Sequence, residues 1–229
     1  MGIQENLNTI KKEIAISCQK SGRNPEDVKI VAVTKTRTAE EINKVIELGI
    51  ADIGENRVQE LLEKYDRVNK DARWHIIGHL QTNKVKYIAD KVSMIQSVDS
   101  LKLAMEIEKH CSKLGKVMDI LIEVNSGEEN KNGIAYSEAF ELVEEVSKLE
   151  HVCIKGLMTM APLGAEETVL RKVFSSLKNL ADEIKGKNFP GVFMDELSMG
   201  MSGDYKLAIE EGATLIRPGR SLFSESFNK

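Results

Sequence analysis

The chain has 229 residues, a net charge of −4 and 41% hydrophobic residues, enough to bury one sizeable α/β core. Charges of both signs are interspersed, with no basic block or aromatic-basic stripe, which argues against nucleic acid as a partner. No apolar run approaches a membrane span, the opening MGIQENLNTIKKE lacks a signal-peptide core, and Cys18, Cys111 and Cys153 show neither metal spacing nor a disulfide framework. A reduced, cytoplasmic protein with no membrane partner is expected, its cysteines serving as small core hydrophobes.

Ile3, Leu7, Ile10, Ile14 and Cys18 follow helical spacing and predict an opening amphipathic helix that breaks at the SGRNP run. VKIVAVTK (28–35) is rich in β-branched residues and ends abruptly in Lys35, as a strand buried on both faces would. The stretch after it switches to helical spacing, with Thr38 and Glu41 as a capping box, Ile42, Val45 and Ile46 as the apolar face and Gly49 at the close. Further strand-like runs are IADIGENR (50–57), WHIIGHLQ (74–81), VSMIQSVD (92–99), MDILIEVN (118–125), HVCIKGLMTM (151–160), DELSMGMS (195–202) and ATLIRPGR (213–220). Helical patterns follow each at VQELLEKY, 82–89, after Leu101, 136–149, 166–185 and DYKLAIEEG, and a short tail, SLFSESFNK, follows the last. Eight βα units without a linker predict a single-domain (β/α)8 TIM barrel over residues 1–229, with one extra N-terminal helix. The runner-up is an open doubly wound sheet, disfavoured because no Gly-rich dinucleotide fingerprint follows the first strand.

In such a barrel, Lys35, Asn56, His79, Asp99, Asn125, Thr159, Ser202 and Arg217 stand at the carboxyl ends of the strands and converge on one mouth. SMGMSGD and IRPGRS, after strands seven and eight, bring small residues, a hydroxyl and a helix start together. This is the pattern of a phosphate cradle, with Ser202 and backbone N–H groups at Gly203 and Gly219 as donors. A lysine across from a phosphate site suits a phosphorylated aldehyde held as a Schiff base. Pyridoxal phosphate and a phosphorylated sugar in an aldolase both fit that chemistry. His75 reads as structural and His79 as a residue near the mouth, while His110 and His151 receive no role. Met158, Met160, Met199 and Met201 read as barrel packing.

VAVTK, IGENRVQE, WHIIGHLQTNK, VNSGEENKNG, GLMTMAP, LSMGMSGDY and IRPGRSLF occur in this order along nearly the whole chain. In these motifs the chain resembles the pyridoxal-phosphate homeostasis proteins, which look like the barrel domain of alanine racemase without its second domain. The resemblance implies that pyridoxal 5′-phosphate is the cofactor and that Lys35 carries it as a Schiff base. It places Ser202, Gly219 and Arg220 at the phosphate, Arg217 against the pyridine nitrogen, and Asn56 and His79 in the pocket wall. It leaves a lid role open for Lys131 and Glu128–Glu129. Pro218 stands where the family has an aliphatic residue and removes one N–H from the phosphate loop, and Ser224 replaces a glycine.

A guanidinium donates and does not give up its proton, so Arg217 facing the ring nitrogen would leave that nitrogen unprotonated and the ring a weaker electron sink. The alternative is that Arg217 pairs with the phosphate or with Asp195. Tyr65, Tyr87, Tyr136 and Tyr205 all fall in helical stretches, and the chain ends soon after strand eight, so a racemase-type second proton donor is not expected. The expected function is cofactor storage, delivery or buffering by a monomer, with apo-enzymes dependent on pyridoxal phosphate as candidate recipients. An amino-acid racemase is the alternative, and a Schiff-base aldolase is further off.

Overall fold

The computed structural model describes residues 2–128 and 132–224. Nine short strands form one parallel sheet: β1 Lys29–Ile30, β2 Ala32–Val33, β3 Asp52–Glu55, β4 Arg73–Ile76, β5 Met94–Val98, β6 Met118–Glu123, β7 Val152–Met158, β8 Val192–Met201 and β9 Leu215–Arg217. Their order is β1-β9-β8-β7-β6-β5-β4-β3-β2. β1 and β2 are two halves of one stave. The Val31 and Val33 N–H groups donate to Ile216 and Pro218 carbonyls at 2.9 and 3.0 Å, while Thr34 N–H donates to Gly54 O at 3.0 Å. The stave therefore bonds to β9 on one edge and to β3 on the other, and the sheet closes as a (β/α)8 barrel.

The helices are α1 Ile3–Ser21, α2 Ala39–Glu47, α3 Val58–Tyr65, α4 Leu101–Leu114, α5 Ala139–Val146, α6 Glu167–Lys185, α7 Tyr205–Glu210 and α8 Arg220–Phe223. The expected capping box opens α2: Glu41 N–H donates to Thr38 Oγ1 at 3.3 Å and Thr38 N–H to Glu41 Oε2 at 2.9 Å. Such a cap is worth about 0.5–2 kcal/mol. α1, the extra helix, packs on α7 and α8, and its buried Asn6 donates to the Leu222 and Ser224 carbonyls at 3.0 and 2.9 Å.

Several expected boundaries differ, four of them in ways that matter for the mouth or the helices. The third strand stops at Ile76 instead of reaching residue 81, because the chain bends over its neighbour: a Cβ at Gly78 would lie 2.6 Å from Asn56 O. The helix expected at 82–89 is a 3-10 run, Thr82–Tyr87, and the one expected at 136–149 opens with a 3-10 turn, Tyr136–Glu138. The last strand ends at Arg217, and the tail begins as α8.

Two apolar cores result. The larger lies between the barrel and its helices and includes Trp74, Phe174, Ile42, Leu61 and Ile107. The smaller fills the barrel's inside with Val31, Met94, Leu121, Met158 and Leu215. Met158 thus packs in the lumen and Met199 in the outer layer, as gap-filling thioethers. Cys18 and Cys111 are fully buried, and burial raises their thiols above the ordinary range, which keeps them unreactive.

Candidate functional site

Side chains alternate across a strand, so residues two apart share a face. Val31 belongs to the lumen core, and a Cβ on Gly54 would meet both Val31 and Ile77. Val31, Val33, Gly54 and Ile77 thus share the inner face, and Lys35, Asn56 and His79 follow these residues in the loops just beyond the strands. Lys35 itself lies past the end of β2 in a tight turn and is exposed; it makes no hydrogen bond or ion pair among the described residues. The next residue, Thr36, has φ 63°, a left-handed conformation that costs a β-branched residue dearly. Glu60 Oε2 accepts Thr36 N–H at 3.2 Å, and Arg37 N–H donates to Thr34 O at 3.0 Å, so the strained turn is held from both sides.

Beneath that turn lies an ion pair that sequence reasoning missed. Lys64 Nζ sits 2.7 Å from Glu55 Oε1 and donates to Thr34 O at 2.9 Å, while Thr34 Oγ1 donates to Glu55 Oε1 at 2.7 Å. Glu55 and Lys64 are both buried, and burial pushes the Glu55 carboxyl up against the pull of Lys64. The triplet ties α3 and β3 to the residue before Lys35.

The phosphate corner forms where β8 and β9 end. Ser202 Oγ accepts N–H bonds from Gly219 at 3.1 Å and Ser221 at 3.0 Å, and the Ser221 hydroxyl lies at 3.1 Å. Two amides and the Ser221 hydroxyl therefore converge on the Ser202 oxygen beside the Lys35 stave, since a Cβ on Gly219 would lie 3.3 Å from Val33 Cβ. Pro218 does not deplete this corner: its carbonyl accepts Val33 N–H, and the donors come from the next residues along. Gly203 has open space around it, and Arg220 is exposed at the start of α8. Ser221 was overlooked in the sequence, although its hydroxyl follows the GR pair directly.

Arg217 is 3% exposed. It donates from Nη1 to Ser198 Oγ at 2.6 Å and from Nη2 to Thr159 O at 2.8 Å. Burial pulls it down to about 10, against the raising fields of Glu123 and Asp204, so it stays a cation at neutral pH. It does not pair with Asp195, which binds Lys185 at 2.6 Å on the surface. Glu123, at the end of β6, is 2% exposed, and its Oε2 has no hydrogen-bond partner. Burial and then the nearby Asp99 charge push it up to about 7, only partly offset by Arg217. Asp99 faces His79 at 3.6 Å across the rim.

Of the expected strand-end residues, Asn125 is a loop former instead of a strand end, its Oδ1 accepting N–H bonds from Gly127 and Glu128 at 2.8 and 3.0 Å. Glu123 holds the strand-end position, and the signal was there: an acid closing the apolar run ILIE. Thr159 contributes its carbonyl to Arg217 and its hydroxyl to Val124 O at 2.8 Å. His75 is buried below the mouth, and His110 and His151 bond to Glu106 and Glu108 on the outside. Of the residues for which the resemblance leaves a lid role open, Glu129 and Lys131 lie outside the described residues.

A phosphorylated aldehyde fits this arrangement. The Gly219 and Ser221 amides and the Ser202 and Ser221 hydroxyls gather at one corner that suits a phosphate, the unpaired Lys35 amine stands on the adjoining stave, and the buried Arg217 cation is on β9, between that stave and β8.

Comparison with known proteins agrees. The family model described as alanine racemase, N-terminal domain, matches residues 5–226. The pyridoxal phosphate homeostasis protein of Aquifex aeolicus is 42% identical over 227 residues, covering 98% of this chain and 99% of that protein. That of Vibrio alginolyticus is 36% identical, covering 96% of each. Among solved structures, PipY of Synechococcus elongatus with pyridoxal phosphate bound has a TM-score of 0.85 at 32% identity, covering 97% of this chain and all of that one. Alanine racemase of Clostridium difficile shares the fold, with a TM-score of 0.78 at 20% identity, and this chain covers 56% of its length. With the alanine racemase N-terminal model spanning nearly all of it and close relatives matching end to end, the chain belongs to the pyridoxal phosphate homeostasis protein family.

Proposed function

We propose that this protein binds pyridoxal 5′-phosphate through Lys35 and serves in its homeostasis, storing, delivering or buffering the cofactor with little chemistry of its own. The observation that carries the reading is one mouth at which an unpaired lysine adjoins a cradle of convergent donors, with a buried arginine beside both. The cofactor supplies an aldehyde that condenses reversibly with a primary amine. The protein's part is to bind and orient. Ser202, with the Gly219 and Ser221 amides, holds the phosphate, and Arg220 adds a cation at the rim. Asn56 and His79 line the wall. Arg217 donates toward the ring nitrogen and keeps it unprotonated, which weakens the ring as an electron sink and favours carriage over turnover.

This role needs no membrane, and among the described residues no helix is long and apolar enough to cross one. A cytoplasmic monomer that passes the cofactor to dependent apo-enzymes is the simplest arrangement. The test is an absorption spectrum of the purified protein mixed with pyridoxal phosphate, followed by borohydride reduction and peptide mapping. A pyridoxyl group on Lys35, and a colourless Lys35→Ala variant, are expected. Labelling of Lys84 or Lys206 instead would overturn the assignment.

A further inference from the structure

Below Arg217 the barrel lumen holds a continuous row of polar side chains. Ser198 Oγ, which accepts from Arg217, donates to Gln96 Oε1 at 2.6 Å. Gln96 Nε2 lies 2.9 Å from His75 Nδ1, and His75 Nε2 lies 3.1 Å from Asp52 Oδ1. Asp52 in turn takes Arg73 in a bidentate pair, with Nε at 2.8 Å and Nη2 at 2.6 Å. Gln96 is on β5 and Ser198 on β8, with β6 and β7 between them in the sheet, so their bond crosses the inside of the barrel. Ser198 and Gln96 are completely buried, and His75, Asp52 and Arg217 nearly so.

The direction of every bond in this row follows from its Asp52 end. Burial would raise the Asp52 carboxyl, yet the hydrogen bonds of Arg73 and His75 outweigh it and hold Asp52 ionised. A carboxylate only accepts, so His75 must donate from Nε2. A neutral imidazole then accepts at Nδ1, which requires the Gln96 NH₂ there and turns the Gln96 carbonyl toward Ser198. The Ser198 hydroxyl donates to that carbonyl, and its lone pairs are left for Arg217. At the other end Arg217 only donates, and the Ser198 oxygen accepts from it in that state. The Asp52 end sets the orientation, the Arg217 end is compatible with it, and no link is frustrated.

We propose that Ser198, Gln96, His75 and Asp52 are positioning residues for Arg217, forming a one-way donor chain that fixes which guanidinium N–H groups point down the lumen and which remain for a ligand at the mouth. Its bearing on the cofactor rests on the proposed pyridoxal phosphate site; its proton order does not. Anchored at Asp52, the chain presets a donor-only group at the ring position, so its orientation is established before any ligand arrives.

Two measurements test it separately. In cofactor-free protein at pH 8, ¹⁵N NMR of the His75 ring should show a neutral Nε2–H tautomer with Nδ1 unprotonated. Gln96→Glu, which accepts from Ser198 but cannot donate to His75, should drive a proton onto Nδ1. In the second measurement, Ser198→Ala and Gln96→Leu should shift the visible band of bound pyridoxal phosphate and weaken its binding about tenfold, the worth of one hydrogen bond. Ser198→Thr should restore both. A wild-type Nδ1–H tautomer would overturn the chain. So would a Ser198→Ala variant that matches Ser198→Thr in band and affinity. If pyridoxal phosphate fails to bind the wild type at all, the functional reading falls, and the His75 tautomer still decides the proton order.

Discussion

Glu55 and Glu123 end β3 and β6, and both are buried with an Oε2 that lacks a partner. They differ in the face they occupy. Glu55 points to the helical layer, where Lys64 and Thr34 each reach its other oxygen at 2.7 Å. Glu123 shares the lumen face with Leu121, and no described side chain or amide bonds its carboxyl; its neighbours Asp99 and Arg217 act on it only through their fields. The same residue at the same place on a stave is thus bonded into the scaffold through one oxygen on one face and left without a hydrogen bond on the other. Most buried polar groups find a partner on folding, so a carboxyl left with none at a barrel mouth is a candidate for ligand contact.

Breaking the paired side should cost most. Lys64→Met leaves Glu55 as an uncompensated buried charge, and a loss of about 3–5 kcal/mol in urea unfolding is expected. Adding Glu55→Gln should recover much of it. A single-variant loss no larger than that of an exposed lysine would remove the contrast.

The unpaired side should reveal itself through pH. An unfolded Glu123 titrates near the ordinary 4.5 and the folded one at about 7, so between these values the native state holds a proton that the unfolded state has lost. Stability of the cofactor-free protein therefore falls as pH rises through that window, and the penalty is complete above about pH 7. Glu123→Gln should abolish the slope, adding on the order of 3 kcal/mol at pH 8 and almost nothing at pH 4. An unchanged pH profile would show that Glu123 is solvated or bonded after all.

The smallest effects belong to the ligand contacts. Ser202→Ala should weaken binding of pyridoxal phosphate by about one to two decades, the loss of one contact to a charged group, and leave unphosphorylated pyridoxal nearly unaffected. Arg220→Ala should act in the same direction but more weakly, because an exposed cation is screened by solvent. Equal losses for both ligands would dissociate this corner from the phosphate.

Much of this was legible beforehand. VKIVAVTK reads as a buried stave because β-branched residues pack on both faces of a parallel sheet, and the Thr38–Glu41 box marks the helix that follows it. The ends of strands three and eight were drawn too long, because apolar residues continue past the last ladder bond at Ile77 and at Pro218, where sequence carries no sign of register. Asn125 reads as a strand end because it is polar at the close of an apolar run; its side chain instead closes an Asx turn, a contact over two or three residues that sequence alone does not separate from a strand end.

By itself, then, the sequence determined the number and order of βα units, the opening helix and the motifs of its family. These depend on local periodicity and capping, which short stretches of chain contain in full. Only the tertiary structure decided that β1 and β2 bridge β9 and β3 to close the barrel, that Lys64 lies beneath the Lys35 turn, that Ser221 joins Ser202, and that residues as far apart as Asp52, His75, Gln96, Ser198 and Arg217 make one donor chain. Each of those depends on register and on which staves face each other across the lumen, and such pairings join residues that nothing in the order of the chain brings together.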